Sequence, residues 1–403
     1  MPRGLLEGTK VVDFSWVYTG PLTTKTLADC GATVIRVESR NRLDVERTMP
    51  PYKDDIPGLN RTASFNTINT SKLSITLNLA YPKGVEVAKR LVAWADVVTE
   101  NYSGGTMRRM GLGYDELKKV NPEIIMLSTS IMGQTGPHAE SRNDGNRLTG
   151  LAGYNHITGW PDQEPATIGP FTDFVAPLYN LVGILAALDY RRRAGKGQYL
   201  DMSQYENGVS FLAPLILDHA VNQRVADRTG NSLAHAAPHG VYRCLCEARW
   251  CAVAVFTDEE WESFVEVIGH PTWTEEPRFR TLLARKANEE ELDSLVQEWT
   301  LRHSAEDVMS IMQAAGVAAG VVEDAEDRLE HDPQFKHRHY FLELEHPEIG
   351  RYVSFGAPFV LSKVPYQPRS APLIGEHNGF VLKDVLGMSD AEIADLVVEG
   401  VIE

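Results

Sequence analysis

The sequence lacks the features that mark several large classes of protein. It holds four cysteines among 403 residues and no Cys-x-x-Cys pair, which excludes a disulfide scaffold and indicates reduced thiols. No uninterrupted run of about 18 apolar residues occurs, and no signal-type apolar core opens the chain, so we expect a cytoplasmic protein without a membrane span. Lysine and arginine number 39 against 55 acidic residues, and the formal charge of -16 argues against a nucleic-acid partner.

What the sequence does contain is an alternation of short apolar runs with helical patterns. The predicted strands cover 9–14, 33–39, 73–79, 96–101, 124–130 and 198–203. The predicted helices cover 22–31, 82–95, 105–120 around a turn at Gly111 and Gly113, about 175–194 and 204–224. Because strand–helix–strand units join parallel strands, the sequence predicts an α/β fold.

The pattern of predicted strands and helices changes near residue 225. Beyond it, the runs VYRCLC and RWCAVAVF predict paired strands, and helices with charged faces are predicted over 258–269, 289–302 and 304–315. We therefore predict three segments, which are a large domain over 1–224, a smaller α+β domain over 225–330, and a C-terminal segment over 331–403.

Asp173 stands at the start of the long apolar helix, after a segment over 131–172 that is rich in glycine and proline. A long irregular segment inside an α/β domain commonly carries function. Aspartate is a favoured helix N-cap, which gives Asp173 a structural interpretation. A helix N-terminus also stabilises the carboxylate anion, which can act as a nucleophile or base. The local sequence leaves both interpretations open.

Two basic stretches follow predicted strands at their carboxyl ends, where α/β sheets usually bind ligands. They contain Arg40, Arg42 and Arg47 in the first, and Asn101, Gly104, Gly105, Arg108 and Arg109 in the second. Either stretch could bind phosphate groups or could be solvated surface charge. Neither a GxGxxG fingerprint nor a P-loop is present, so no nucleotide cofactor is predicted from a motif.

Other chemistries have weaker support in the sequence. The histidine pairs His235/His239 and His337/His339 have no third ligand at a suitable spacing, so no metal site is predicted. The serines have no GxSxG context, so a hydrolase triad is not supported either.

A set of longer motifs extends along essentially the whole chain. They are VVDFSWVYTGPLTTKTLADCGATVIRVES, NTSKLSITLNL, DVVTENYSGGTMRRMGLGYDEL, SIMGQTGPHAE, LVGILAALDYRRRAGKGQYLDMSQYE and APLIGEHNGFVL. In this order they resemble the class III CoA-transferases, the family of formyl-CoA transferase and of carnitine and bile-acid CoA-transferases. The resemblance implies a Rossmann-like large domain completed by the C-terminal segment, a small domain, and two chains interlocked as a dimer.

The resemblance also implies roles for individual residues. The nucleophilic aspartate of the family falls on Asp173. The residues that contact CoA fall on Arg40, Lys72, Asn101 and Arg109, with Tyr18 at a position where formyl-CoA transferases carry glutamine. No permanently bound cofactor is implied, since CoA and acyl-CoA are substrates; no metal, nicotinamide or flavin is implied either.

The implied activity is transfer of CoA from a donor thioester to an organic acid, through an aspartyl anhydride and an aspartyl-CoA thioester. The stretch Arg142-Asn143-Asp144-Gly145 and the stretch AAPHGVYRC depart from formyl-CoA transferases, which disfavours formate and oxalate as substrates. The opening segment and AAPHGVYRC resemble more closely the branch of succinyl-CoA:benzylsuccinate CoA-transferase subunits, which favours succinyl-CoA as donor and a dicarboxylate or aromatic succinate as acceptor. The partner would be a second copy or a homologous subunit.

Two alternatives stay open. An acyl-CoA racemase or isomerase of the same fold would need a histidine where this chain has Asn143-Asp144-Gly145. A non-catalytic CoA-binding subunit of a hetero-oligomer would have no need of Asp173.

Overall fold

The computed structural model describes residues 4–403, which form two compact units. The first unit comprises the chain up to Asn155, Thr167–Val225 and Lys336–Glu403. The second unit comprises His156–Ala166 and Ala226–Phe335. The segment 131–172, predicted as irregular, thus contributes to both units.

Six parallel strands form the sheet of the first unit. They are β1 (Lys10–Asp13), β2 (Thr33–Glu38), β3 (Leu73–Thr76), β4 (Val97–Glu100), β5 (Ile125–Ser130) and β6 (Tyr199–Ser203). Their order is β3-β2-β1-β4-β5-β6, so the direction of winding reverses between β1 and β4. This is the strand order of Rossmann-like folds, and the predicted α/β class is confirmed.

The remaining strands pair antiparallel. In the second unit, β7 (His239–Arg243), β8 (Trp250–Ala254) and β9 (Ala318–Val321) form a three-stranded sheet. The predicted pairing of the first two is confirmed. In the first unit, β10 (Phe341–His346) and β11 (Gly350–Phe355) form a hairpin that the sequence analysis did not predict.

The helices within residues 4–403 are short except for one. They are α1 (Thr19–Asp29), α2 (Ala63–Ile68), α3 (Pro82–Trp94), α4 (Thr106–Arg109), α5 (Tyr114–Val120), α6 (Gly145–Leu151), α7 (Tyr154–Ile157), α8 (Phe171–Ala194), α9 (Gln204–Ser210), α10 (Ala213–Asn222), α11 (Asp258–Val267), α12 (Leu282–Ala287), α13 (Glu289–Thr300), α14 (Ala305–Ala314), α15 (Pro333–Arg338) and α16 (Asp390–Val398). Short 3-10 turns cover Val45–Arg47, Lys53–Asp55 and Thr272–Glu275, and π-helical turns cover Asp327–His331 and Phe380–Val385.

Two predicted helical regions each contain two helices. The region over 105–120 was predicted with a turn at Gly111 and Gly113, and this turn is confirmed: Gly111 has a φ of +74°, a left-handed conformation that a helix interior does not contain. The predicted helix over 204–224 is interrupted before Pro214, which lies in the first turn of α10. Proline fits the first turn of a helix but breaks the hydrogen bonds of an interior, so α9 and α10 form separately.

The core of the first unit has two layers because side chains alternate along the strands. Along β1, Val12 packs into a cluster on one face of the sheet with Ile35, and Val11 packs on the other face with Val34. The helix α8 covers this second face, to which it contributes Ile184. Both faces of the sheet are therefore buried, as expected for parallel strands.

The helix α8 is the only one in residues 4–403 that is long and apolar enough to cross a membrane, judged by length and composition. It packs against α1 and β5. On the packed face, the amide of Asn180 donates to the hydroxyls of Thr23 and Thr129, at 3.1 Å each. A buried polar contact of this kind is typical of a helix in a protein core.

Candidate active site

A cavity of about 780 Å³ lies at the carboxyl ends of the central strands of the first unit. The segments that follow β1, β2, β3 and β4 all contribute to its lining. The sheet order reverses between β1 and β4, and open α/β sheets bind ligands in the crevice beside such a reversal. The volume lies within the range of small-molecule and cofactor sites.

Three guanidinium groups, those of Arg42, Arg109 and Arg142, give this cavity a basic character. Arg42 lies over the ring of Trp16, 5.0 Å from its centroid. Arg109, in α4, donates to the hydroxyl of Thr106 at 2.9 Å and stays more than half exposed. Trp16 and Thr106 also line the cavity. Arginine presents several donors in a planar fork, which suits the phosphate groups of a nucleotide.

Asn101 shapes one wall of the cavity. Its Oδ1 accepts the backbone N–H of Trp16 at 2.8 Å, and its Nδ2 donates to the backbone carbonyl of Trp16 at 2.6 Å. This pair of bonds fixes the segment between β1 and α1 against the end of β4. Asn101 also lines the cavity, so it combines a positioning role with access to a ligand.

Asp173 lies in the first turn of α8 and does not cap it. The N-cap is Pro170, and the helix has no side-chain cap bond, so the structural interpretation of Asp173 as a helix cap is wrong. Instead, Asp173 Oδ1 accepts the hydroxyl of Thr19 at 3.2 Å. The next residue, Phe174, packs on Tyr18 with ring centroids 4.9 Å apart.

The surroundings of Asp173 make its carboxyl group less acidic than usual. Burial is the main cause, the carboxylates of Asp144 and Glu46 add to it, and the Thr19 hydroxyl opposes it; together they raise the pKa of Asp173 to about 6. The anion therefore predominates at neutral pH but is more basic than an exposed aspartate. Burial, Glu46 and Asp173 also raise the pKa of Tyr18.

Two chain segments connect the cavity to Asp173. Trp16 and Val17 line the cavity, and Thr19, two residues later, bonds Asp173. Asn143 lines the cavity too, and Gly145 lies against the carboxylate, since a Cβ at this glycine would be 2.3 Å from Asp173 Oδ2. The carboxylate thus lies at the inner ends of two segments that form the cavity wall.

Arg40 and Lys72 lie outside the cavity lining. Arg40 is exposed, and its backbone N–H donates to the side chain of Glu403, while Ser39 and Asn41 on either side of it line the cavity. Lys72 is buried, and its ammonium group donates to Asp13, to the backbone of Pro21 and to Asn69, at 2.8–3.1 Å. All three of its hydrogens have acceptors within the chain, so this arrangement does not favour contact with CoA.

Lys72 belongs to a buried network of charges beneath the cavity. Its members are Asp13, Arg36, Glu38, Asp44, Arg47 and Lys72. Arg47 binds both carboxylate oxygens of Glu38 at 2.7 Å, which explains why this arginine does not reach the cavity. Burial alone would raise the pKa of Asp13, but Lys72 and Arg36 lower it to about 2. Each member of the network thus has a partner of opposite charge within 4.0 Å.

Several site residues had no usable signal in the sequence. Trp16, Ser103 and Thr106 line the cavity, and Thr19 bonds the carboxylate. A single threonine or tryptophan in a loop has no spacing pattern, so only the fold brings these side chains together. The stretch around Arg109 was predicted because basic residues followed a strand.

Among residues 4–403, one group of three side chains could hold a metal ion by geometry, Glu326, Glu330 and His331 in the second unit. All three are exposed, and exposed acidic groups commonly lie together without an ion.

Comparison with known proteins identifies the sequence family of this chain. The family model described as CoA-transferase family III matches residues 6–378. A succinyl-CoA–D-citramalate CoA-transferase of Chloroflexus aurantiacus is 32% identical over 403 residues, which are 100% of this chain and 99% of the relative. The succinyl-CoA:glutarate CoA-transferase of Homo sapiens is 29% identical and covers 99% of this chain and 90% of its own.

A solved structure extends the comparison to the fold. The crystal structure of a CAIB/BAIF family protein from Brucella suis is 32% identical, with a TM-score of 0.87 over 95% of this chain and 100% of that chain.

Proposed function

Because this chain belongs to CoA-transferase family III and is a CoA-transferase, we propose that it moves CoA from succinyl-CoA to an organic acid through covalent intermediates on Asp173. The observation that carries the proposal is the carboxylate at the inner ends of two segments that line a basic cavity. A raised pKa makes this carboxylate a stronger nucleophile while it stays ionised at neutral pH.

The reaction proceeds in two symmetric halves. The Asp173 carboxylate attacks the thioester carbonyl, the C–S bond breaks, and CoA thiolate leaves an acyl aspartyl anhydride. The thiolate then attacks the aspartyl carbonyl, which releases the first acid as a carboxylate and leaves an aspartyl-CoA thioester. The acceptor carboxylate repeats these steps in reverse order, forming its own CoA thioester and regenerating Asp173. A carboxylate is required because only it forms an anhydride that exchanges reversibly with free acids.

CoA would occupy the cavity of about 780 Å³. Arg109 and Arg42 would bind its phosphates, and Asn101 would contact the nucleotide or pantetheine. Arg40 would contribute from the rim by a change of side-chain rotamer, since its neighbours line the cavity. Tyr18, next to Asp173, would contact the thioester end.

The donor and acceptor are inferred from relatives and charge. Relatives named for succinyl-CoA support this donor. Asp144 and Glu46 give the region around Asp173 a negative potential, so a dicarboxylate acceptor needs a cation there. Arg142, which lines the cavity, is a candidate for this role.

We also propose that two copies of the chain assemble. A stripe of apolar side chains at helical spacing stays exposed along α8 and includes Leu178, Val182 and Leu185, and Leu217 and Val221 are exposed on α10. Val182 on α8 is 67% exposed and Val221 on α10 is 76% exposed, and such a group of exposed apolar side chains commonly marks an interaction surface. A second copy, or a homologous subunit such as the beta subunit named for one relative, would cover this surface.

Mass spectrometry tests the covalent mechanism. After incubation with succinyl-CoA and then hydroxylamine, or borohydride, we expect a modification on the peptide that contains Asp173. The variant Asp173→Asn should bind CoA but form no adduct. The matched control is Asp189→Asn, at the other end of the same helix, where Asp189 bonds Arg192 and Arg193 on the surface. Turnover by Asp173→Asn would disprove the proposal.

A further inference from the structure

We propose that Thr19 is a catalytic residue of this transferase, whose hydroxyl binds Asp173 Oδ1 so that Oδ2 makes the attack and Oδ1 becomes the oxyanion of the second step. The inference rests on the proposed role of Asp173 as nucleophile. It starts from the two different environments of the carboxylate oxygens.

Oδ1 has a fixed donor. Thr19 is the first residue of α1 and is 2% exposed, and its Oγ1 lies 3.2 Å from Asp173 Oδ1. Its backbone carbonyl accepts the hydroxyl of Thr23 at 2.8 Å, within a helix that packs on α8. The donor and the carboxylate are therefore held by two packed helices.

The segment that leads to Thr19 is also held in an unusual conformation. Val17 has a φ of +59°, which is costly for a β-branched residue. The carboxylate of Asp44 accepts the N–H of Val17 at 3.1–3.2 Å, and Asn101 holds Trp16 from the other side. Strained backbone that is fixed by neighbours is a common property of pre-organised sites.

Oδ2 has no such donor. Among residues 4–403, no group donates a hydrogen bond to it, and Gly145, which has no side chain, lies against it. A Cβ there would be 2.3 Å from Oδ2 and 2.6 Å from the Cβ of Pro170. Asp144 fixes this glycine, because its Oδ1 accepts the N–H of Arg147 at the start of α6.

The chemistry then assigns a role to each oxygen. Oδ2 forms the bond to the acyl carbon, so Oδ1 becomes the carbonyl oxygen of the anhydride. When CoA thiolate attacks Cγ, the electron pair of the Cγ–Oδ1 double bond moves onto Oδ1, and it returns as the Cγ–Oδ2 bond breaks and the acid leaves. The Thr19 hydroxyl stabilises the charge on Oδ1 during this step, as an oxyanion-hole donor does.

The test measures the formation of enzyme-bound CoA from succinyl-CoA alone, by rapid quench and mass spectrometry. Removal of one oxyanion donor lowers a rate by about 10²-fold, so Thr19→Val should slow adduct formation by this factor. Thr19→Ser keeps the hydroxyl and should restore the rate to within a few-fold of the unchanged enzyme. Thr26→Val is the matched control, because the Thr26 hydroxyl bonds only the helix carbonyl of Leu22.

The variants also separate this inference from the proposed function. An unchanged Kd for CoA shows that Thr19→Val is folded, and Gly145→Ala should also block adduct formation while CoA still binds. Adduct formation by Thr19→Val at the unchanged rate, with none by Asp173→Asn, would overturn the role of Thr19 alone. Adduct formation by Asp173→Asn would instead overturn the proposed function and this inference with it.

Discussion

At the scale of the residue, the basicity of Asp173 is set by neighbours with opposite effects. Burial and the charges of Asp144 and Glu46 raise its pKa, and the hydroxyl of Thr19 lowers it, to a final value of about 6. Because the anion is the nucleophile, we expect the rate to fall as pH drops through about 6. A plot of kcat/KM against pH for the donor thioester should therefore have an acid limb in this region.

The variant Asp144→Asn tests the electrostatic part of this argument. It removes a negative charge that faces Asp173, so the pKa of Asp173 should fall and the acid limb should move to lower pH. Asparagine can still accept the N–H of Arg147, which preserves the start of α6. The groups that remain coupled to Asp173 are then Glu46 and Tyr18.

The control for this experiment is Asp189→Asn, whose carboxylate lies on the surface at the far end of α8. Its pH profile should match that of the unchanged enzyme. A limb that stays in place, or moves to higher pH, in Asp144→Asn would contradict the assignment of the acid limb to Asp173.

Asp173 and Lys72 show which properties of a residue could not be inferred from the sequence. Asp173 was identified by resemblance, and the local pattern left a helix cap as an equal interpretation. The structure excludes the cap because α8 begins at Phe171, four residues before the predicted start. Lys72 donates to Asp13, which is distant in sequence. No local pattern could therefore indicate that the ammonium group of Lys72 is buried and hydrogen-bonded within the fold.

At the scale of the element, the side chain of Gln134 holds the loop that follows β4. Gln134 Oε1 accepts the N–H of Gly105 at 3.2 Å, and its Nε2 donates to the carbonyl of Tyr102 at 3.2 Å and to Glu100 at 3.4 Å. This loop leads into α4, which carries Arg109.

We expect Gln134→Ala to weaken CoA binding because α4 would lose its fixed position. A net contribution of about 1 kcal/mol corresponds to a rise in KM for the thioester of roughly fivefold, with kcat little changed. Steady-state kinetics and a Kd for CoA measure both effects. Gln313→Ala is the control, since Gln313 donates to the carbonyl of Ala319 in the second unit. An unchanged KM would show that the loop is held without Gln134.

Strands with a clear hydrophobic pattern could be predicted from the sequence. Elements whose position depends on contacts with distant parts of the chain could not. The strands β1, β2 and β5 follow continuous apolar runs such as Val11–Val12, so their positions agree with prediction within one or two residues. The hairpin of β10 and β11 has polar and charged residues on one face, and its pairing is visible only in the fold. The turn near Gly111 was predicted from the two glycines Gly111 and Gly113, although their spacing does not reveal the left-handed backbone angle itself.

At the scale of the whole molecule, the units are not continuous in sequence. The second unit includes His156–Ala166, which a reading along the chain assigns to the first domain. A short segment that belongs to one unit but is flanked in sequence by the other has no distinctive sequence pattern, so only the fold assigns it to its unit. The C-terminal segment, by contrast, contributes to the first unit through Val381 and Leu396 in its core.

The assembly provides the last prediction. If two chains interlock as the resemblance implies, the protein should sediment at about twice the 44.8 kDa of the chain. Threaded chains separate only when they unfold, so this mass should persist on dilution to nanomolar concentration. Val182→Glu places a charge in the exposed stripe of α8; it should lower the thermal midpoint without producing folded monomers.

Glu266→Gln, on an exposed side chain of the second unit, is the control for this substitution and should change neither mass nor midpoint. A folded monomer in the unchanged protein would show that the exposed apolar stripe is not covered by a second copy. A dimer that dissociates on dilution, or through Val182→Glu, would show two copies packed face to face, because only threading makes separation depend on unfolding. The persistence of the dimer therefore distinguishes an interlocked pair from two chains that share an apolar surface.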